Sequence, residues 1–127
     1  MMVLVDTSVW VDFLRRGNSS LTDLLEQGRV CTHQIILGEL ACGNISGRAN
    51  FLSLLYDLPA CDASTHEEVL TFIEENKAFG KGVGFFDLHL LCSALISSIP
   101  LWTLDGNLIK LSKKFGIHHP SKTREVH

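Results

Sequence analysis

Apolar positions along the chain follow two rhythms. Val3-Leu4-Val5 is a short, uninterrupted apolar run, and the stretches 29–32 and 99–104 carry shorter runs of the same kind. Runs without polar alternation are the pattern of strands buried on both faces of a parallel sheet. Elsewhere apolar residues recur at the spacing of one helix face. They predict helices over Val9 to Arg15, Leu21 to Gln27, Ile35 to Gly43, Ala49 to Leu58, a stretch after Ser64, Leu88 to Ile96, and Leu108 to Phe115. The punctuation agrees. Gly17 and Gly28 follow helix ends, Pro59 blocks extension of the fourth helix, and Ser64-Thr65-His66-Glu67 reads as a capping box. The fourth helix should bury Phe51, Leu52, Leu54, Leu55 and Leu58, and the fifth Val69, Leu70, Phe72 and Ile73. Pro59 to Cys61 and Gly116 to His118 can add short edge strands. Alternation of strand and helix implies an α/β fold: a parallel sheet with helices on both faces.

Four acids stand out against this pattern. Asp6 ends the first apolar run, with Thr7 and Ser8 after it as N-cap candidates for the first helix, so its carboxylate belongs at the carboxyl rim of the sheet, where α/β folds bind ligands. Asp105 repeats the theme after Leu101-Trp102-Thr103-Leu104, although an Asp-Gly-Asn turn explains it equally well. Glu39 lies within a mostly apolar helix; a carboxylate buried there should be paired, neutral or bound to a cation. Asp87 follows the glycine-rich run 79–84, which lacks the spacing of a nucleotide-binding loop and serves better as a tight turn placing Asp87 at a helix start. Each acid has an ordinary explanation as a cap, a turn or a solvated side chain. If the strands of Asp6 and Asp105 are neighbours, however, all four meet on one rim.

Composition narrows the choice. A chain of 127 residues, 46% hydrophobic, can bury a core as a single domain, 1–127, without disulfides. Cys31, Cys42, Cys61 and Cys92 have no Cys-x-x-Cys spacing and read as buried free thiols, and the six histidines form no zinc pattern. No membrane-spanning run or secretory leader is visible, so the expected location is the cytoplasm. Net charge is -3, yet Lys110, Lys113, Lys114, Lys122 and Arg124 gather near the C-terminus, compatible with phosphate contact or simply with a solvated face.

Val5-Asp6-Thr7-Ser8-Val9-Trp10-Val11-Asp12-Phe13-Leu14, Glu39, the run 82–94 and Leu101-Trp102-Thr103-Leu104-Asp105 resemble, in order and spacing, the successive motifs of PIN-domain ribonucleases, in particular the VapC toxins of type II toxin–antitoxin systems. The resemblance implies a three-layer α/β/α fold with a central parallel sheet. It further implies an acidic site of Asp6, Glu39, Asp87 and Asp105 holding Mg2+ or Mn2+, an RNA substrate, a VapB-like antitoxin partner and a homodimer. Thr103 and either Ser8 or Thr7 fit as hydroxyls orienting the carboxylates. Asn107 stands where the family often has a further acid, which leaves one metal or two open. In-line hydrolysis by metal-activated water would leave a 5′-phosphate. The alternative is a catalytically silent PIN-like module that binds RNA or protein. A haloacid-type phosphatase would need a second aspartate where Ser8 stands.

Overall fold

A computed structural model describes residues 1–120. Its centre is β1 (Val3–Val5), flanked in parallel by β2 (Val30–Cys31) and β3 (Leu101–Trp102), in the order β2-β1-β3. Val3 lies opposite Val30, and Val5 opposite Trp102. Every residue of β1 is fully buried, as a central strand covered on both faces must be. The helices are α1 (Thr7–Arg16), α2 (Ser19–Glu26), α3 (Gln34–Ala41), α4 (Arg48–Asp57), α5 (His66–Asn76), α6 (Phe85–Ser97) and α7 (Gly106–Lys114). The arrangement is a three-layer α/β/α fold with a parallel central sheet. No described helix is long and apolar enough to cross a membrane.

The local chemistry follows the sequence in most places. Gly17 closes α1 at φ 78°, a left-handed value that glycine adopts without steric cost. The Asn18 side chain accepts from Leu21 N–H and starts α2. Trp10 packs edge-on to Phe13 and Phe51 beneath α1, a core role.

Several expectations need correction. Strand and helix do not alternate throughout, because four helices separate β2 from β3. The segments 59–61 and 116–118 contribute one bridge each, Thr32 to Ala60 and Leu101 to His118, rather than full strands. The α5 capping box is built on Thr65 and Glu68, one residue later than the pattern suggested. Ser64 is already engaged: its N–H donates to Ser93 and its carbonyl accepts from His89. Leu54 and Leu70 are exposed, each at the edge of its helix stripe rather than on it. Cys31 and Cys92 are buried free thiols, whereas Cys61 is half-buried and Cys42 exposed. Lys122 and Arg124 lie outside the described residues.

Candidate active site

Asp6 leaves β1 in extended conformation and is the N-cap residue of α1, but its side chain makes no capping bond. It turns instead toward β3. Ser8 Oγ and Thr103 Oγ1 each donate to Asp6 Oδ2 at 2.7 Å. Each hydroxyl in turn accepts a backbone N–H, Ser8 from Leu104 at 2.9 Å and Thr103 from Asp105 at 3.1 Å. The hydroxyl protons are thereby directed at the carboxylate. Asp6 is 4% exposed, so these two bonds hold most of what solvates one oxygen, while Oδ1 accepts no hydrogen bond among the described residues. The capping explanation for Asp6 therefore fails, and Thr7 and Ser8 are helical residues rather than caps.

The other three acids arrive on separate elements. Asp105 follows β3, which pairs with β1, so the two acids leave adjacent parallel strands at the same end of the sheet. Asp105 also caps α7, its Oδ2 accepting Leu108 N–H at 3.0 Å, so the structural and site roles coexist. Glu39 lies on the exposed face of α3; the expected burial is absent because only Ile36 and Leu40 of that helix turn fully inward. Thr7 Oγ1 donates to Glu39 Oε1 at 2.6 Å, so Thr7 orients Glu39 while Ser8 orients Asp6. Asp87 occupies the first turn of α6, partly buried, with no hydrogen bond to its carboxylate among the described residues.

Charge ties the four together. Burial, and after it the negative charges of Asp6, Glu39 and Asp105, push the Asp87 carboxyl up from 3.8 to about 6. No described residue forms an ion pair with any of the four. As they stand, no three described His, Cys, Asp or Glu residues are gathered closely enough to hold a metal ion. The donor set is nonetheless all hard oxygen, is borne on four elements close enough for three of the acids to act on the fourth, and has no ion-pair partner among the described residues. That chemistry fits a Mg2+- or Mn2+-sized ion, which keeps several of its own waters and needs only a few carboxylates.

The PIN domain family model matches residues 3–114, from the first strand to the end of α7. The chain is 38% identical over 117 residues to Ribonuclease VapC32 of Mycobacterium tuberculosis, in two strains, covering 91% of this chain and 94% of the relative. The chain belongs to the VapC group of the PIN-domain family. A solved structure of VapBC-1 from nontypeable Haemophilus influenzae shares the fold, with a TM-score of 0.68 over 90% of this chain and 94% of that one at 16% identity.

This PIN domain also contains a buried polar link that the sequence did not reveal. His33, fully buried, starts α3 by accepting Ile35 N–H on Nδ1 at 3.0 Å. With Nδ1 an acceptor, Nε2 carries the proton and donates to Ser93 Oγ on α6 at 2.9 Å. Ser93 Oγ accepts a second donor, Ser64 N–H, at 2.9 Å, and His89 Nε2 donates to the Ser64 carbonyl at 2.8 Å. His89 thus packs as expected, although its Nδ1 is buried without a hydrogen-bond partner among the described residues. Burial, and then the neighbouring His89, hold His33 down at about 4, so it is neutral at ordinary pH. The link clamps the start of the Glu39 helix to the Asp87 helix. The signal in sequence was slight: a histidine just before an apolar helix.

Proposed function

We propose that this chain is a metal-dependent endoribonuclease, the toxin of a toxin–antitoxin pair, acting through Asp6, Glu39, Asp87 and Asp105. The observation that carries the reading is Asp87, pushed up to about 6 by burial and then by the charges of Asp6, Glu39 and Asp105 from three other elements, with no cationic partner for any of the four among the described residues. Structural acids are ordinarily paired; crowded, unpaired ones need a ligand. The 38% identity to a protein named Ribonuclease VapC32 supports RNA as the substrate.

Asp6, with one oxygen fixed by Ser8 and Thr103, presents Oδ1 as a preset ligand. Asp105 offers Oδ1, since Oδ2 is used by the α7 cap. Asp87, whose carboxyl is pushed up to about 6 by burial and its acidic neighbours, would offer its carboxylate to the ion. Glu39, held by Thr7 through Oε1, keeps Oε2 for the ion or for orienting the attacking water. A divalent ion bound there supplies Lewis acidity toward the phosphodiester and a more acidic bound water.

Residues 1–127 are read as one PIN domain. A VapB-like antitoxin is inferred as partner from the resemblance and from the fold shared with VapBC-1. A homodimer in the cytoplasm completes the reading. Exposed Leu54 and Tyr56 on α4 are apolar surface that a second copy could cover, and sedimentation of the purified chain tests this.

The test of the activity is cleavage of end-labelled RNA in Mn2+. The account expects 5′-phosphate products, loss of cleavage in EDTA, and none with Asp6→Asn. A folded, metal-loaded chain that binds RNA but does not cut it would instead be a silent binding module.

A further inference from the structure

We propose that Lys81, Lys110 and Lys114 form a phosphate-binding subsite that seats the backbone of single-stranded RNA beside the acidic centre; this rests on the ribonuclease reading above. The three lysines, with Asn107 and Leu111, line one depression of about 190 Å3. Leu111 is buried and forms its floor, while all three lysines are exposed at its wall. None of the three makes an ion pair among the described residues; Lys114 Nζ lies 5.8 Å from the Phe115 ring centroid.

The depression is built by docking of the glycine-rich loop onto α7. Asn107 Nδ2 donates to Gly82 O at 3.3 Å, and Gly82 has φ 74°. A Cβ on Gly82 would stand 2.5 Å from Asn107 Nδ2, so only glycine permits this approach. The contact holds Lys81 opposite Lys110 and Lys114. The chain ties this lining to two of the acids, because Lys81 precedes Asp87 by six residues and Asn107 follows Asp105 by two.

The ligand class follows from the lining. Among the described residues no aromatic ring lines the depression, so a base finds no stacking partner there, whereas ammonium groups suit phosphate oxygens. A polyanion bringing one phosphate to an acidic, metal-binding rim needs its neighbouring phosphates neutralised by the protein. In a chain of net charge -3, local lysines must do that. The subsite positions RNA without reading its sequence. An acidic protein segment is the rival occupant, disfavoured because nothing about it requires adjacency to four carboxylates.

The test compares Lys81→Gln/Lys110→Gln/Lys114→Gln with a charge-matched control, Arg48→Gln/Lys77→Gln/Lys113→Gln. Binding of a labelled, unstructured oligouridylate is followed by anisotropy in EDTA across a salt series. Losing three phosphate contacts should flatten the log–log salt slope by about 2 and weaken binding about 100-fold at 0.1 M salt, and the control should change the slope far less. In Mn2+, RNA cleavage should fall mainly through KM, while hydrolysis of bis(p-nitrophenyl) phosphate, which has no second phosphate to seat, falls much less. Equal losses in the two triple variants would show that only net charge matters and overturn the subsite. A parallel loss of affinity for polyglutamate would assign the lysines to a protein partner and overturn it as well. If the unaltered chain cleaves neither substrate, the ribonuclease reading fails by itself, whatever the salt slopes show.

Discussion

Replacing Asp87 by Asn should stabilise the metal-free protein at neutral pH and leave it unchanged in acid. The substitution keeps the shape of the side chain and breaks no hydrogen bond among the described residues; what it removes is a charge that burial and three carboxylates oppose. The direction follows from linkage. Folded Asp87 titrates near 6 rather than 3.8, so between those values the folded chain binds more protons than the unfolded one. Stability due to this group is therefore intact below pH 3.8 and lost as pH rises through about 6. A rise of this size corresponds to about 3 kcal/mol. Screening of a partly exposed carboxylate lowers it to about 1–2 kcal/mol. In a domain of this length that is a Tm increase of about 3–8 °C for Asp87→Asn at pH 7.5 in EDTA. At pH 4 the two melting curves should nearly coincide. Differential scanning calorimetry at both pH values decides the matter. An Asp87→Asn protein that melts lower than the parent at pH 7.5, or that shows the same difference at both pH values, would refute the claim that burial and neighbouring charge make the ionised Asp87 oppose the metal-free fold. Adding Mn2+ should reverse the order, stabilising the parent more than the variant.

Other consequences are independent of this one. His33 works in the opposite sense: held down from 6.5 to about 4 by burial and His89, it makes stability rise with pH through that window, complete above 6.5. Urea titrations across pH should show this slope clearly in Asp87→Asn and partly cancelled in the parent; no difference between them would contradict the assignment. Ser93→Ala leaves His33 Nε2–H and Ser64 N–H without their acceptor and should cost about 2–4 kcal/mol in urea unfolding. Thr103→Val deletes a proton donor to Asp6 and the acceptor of Asp105 N–H, and should weaken Mn2+ binding about 10–100-fold by calorimetry. Gly82→Ala combines positive φ with a clash at Asn107 and should cost more than about 1 kcal/mol, of which Asn107→Ala recovers only the steric part in a double-mutant melt.

The sequence made much of the fold legible because its strongest signals are local. An apolar triplet ending in Asp6 and a second run ending at Asp105 announced two buried strands with acids at their ends, and their pairing in the sheet follows. What stayed hidden depends on neighbours far along the chain. Glu39 looked buried because its helix is apolar in composition, but α3 turns that residue outward, where Thr7, 32 residues earlier, meets it. The capping box slipped by one because Ser64 and Thr65 are both competent caps, and only Ser93, 29 residues on, decides by occupying Ser64 N–H. His33 and Ser93 are 60 residues apart, and no periodicity links them. Leu54 and Leu70 lie at stripe edges, where a small rotation of the helix separates core from surface.

The central claim is that residues 6, 39, 87 and 105 share a divalent cation, and anomalous diffraction from crystals grown with Mn2+ tests it directly. The account predicts a peak on the rim at the carboxyl end of β1 and β3, in direct contact with Asp6 and touching Asp87 or Asp105 directly or through water. A well-ordered structure at saturating Mn2+ with no peak there, or with the four carboxylates turned apart and the ion bound elsewhere, would contradict it.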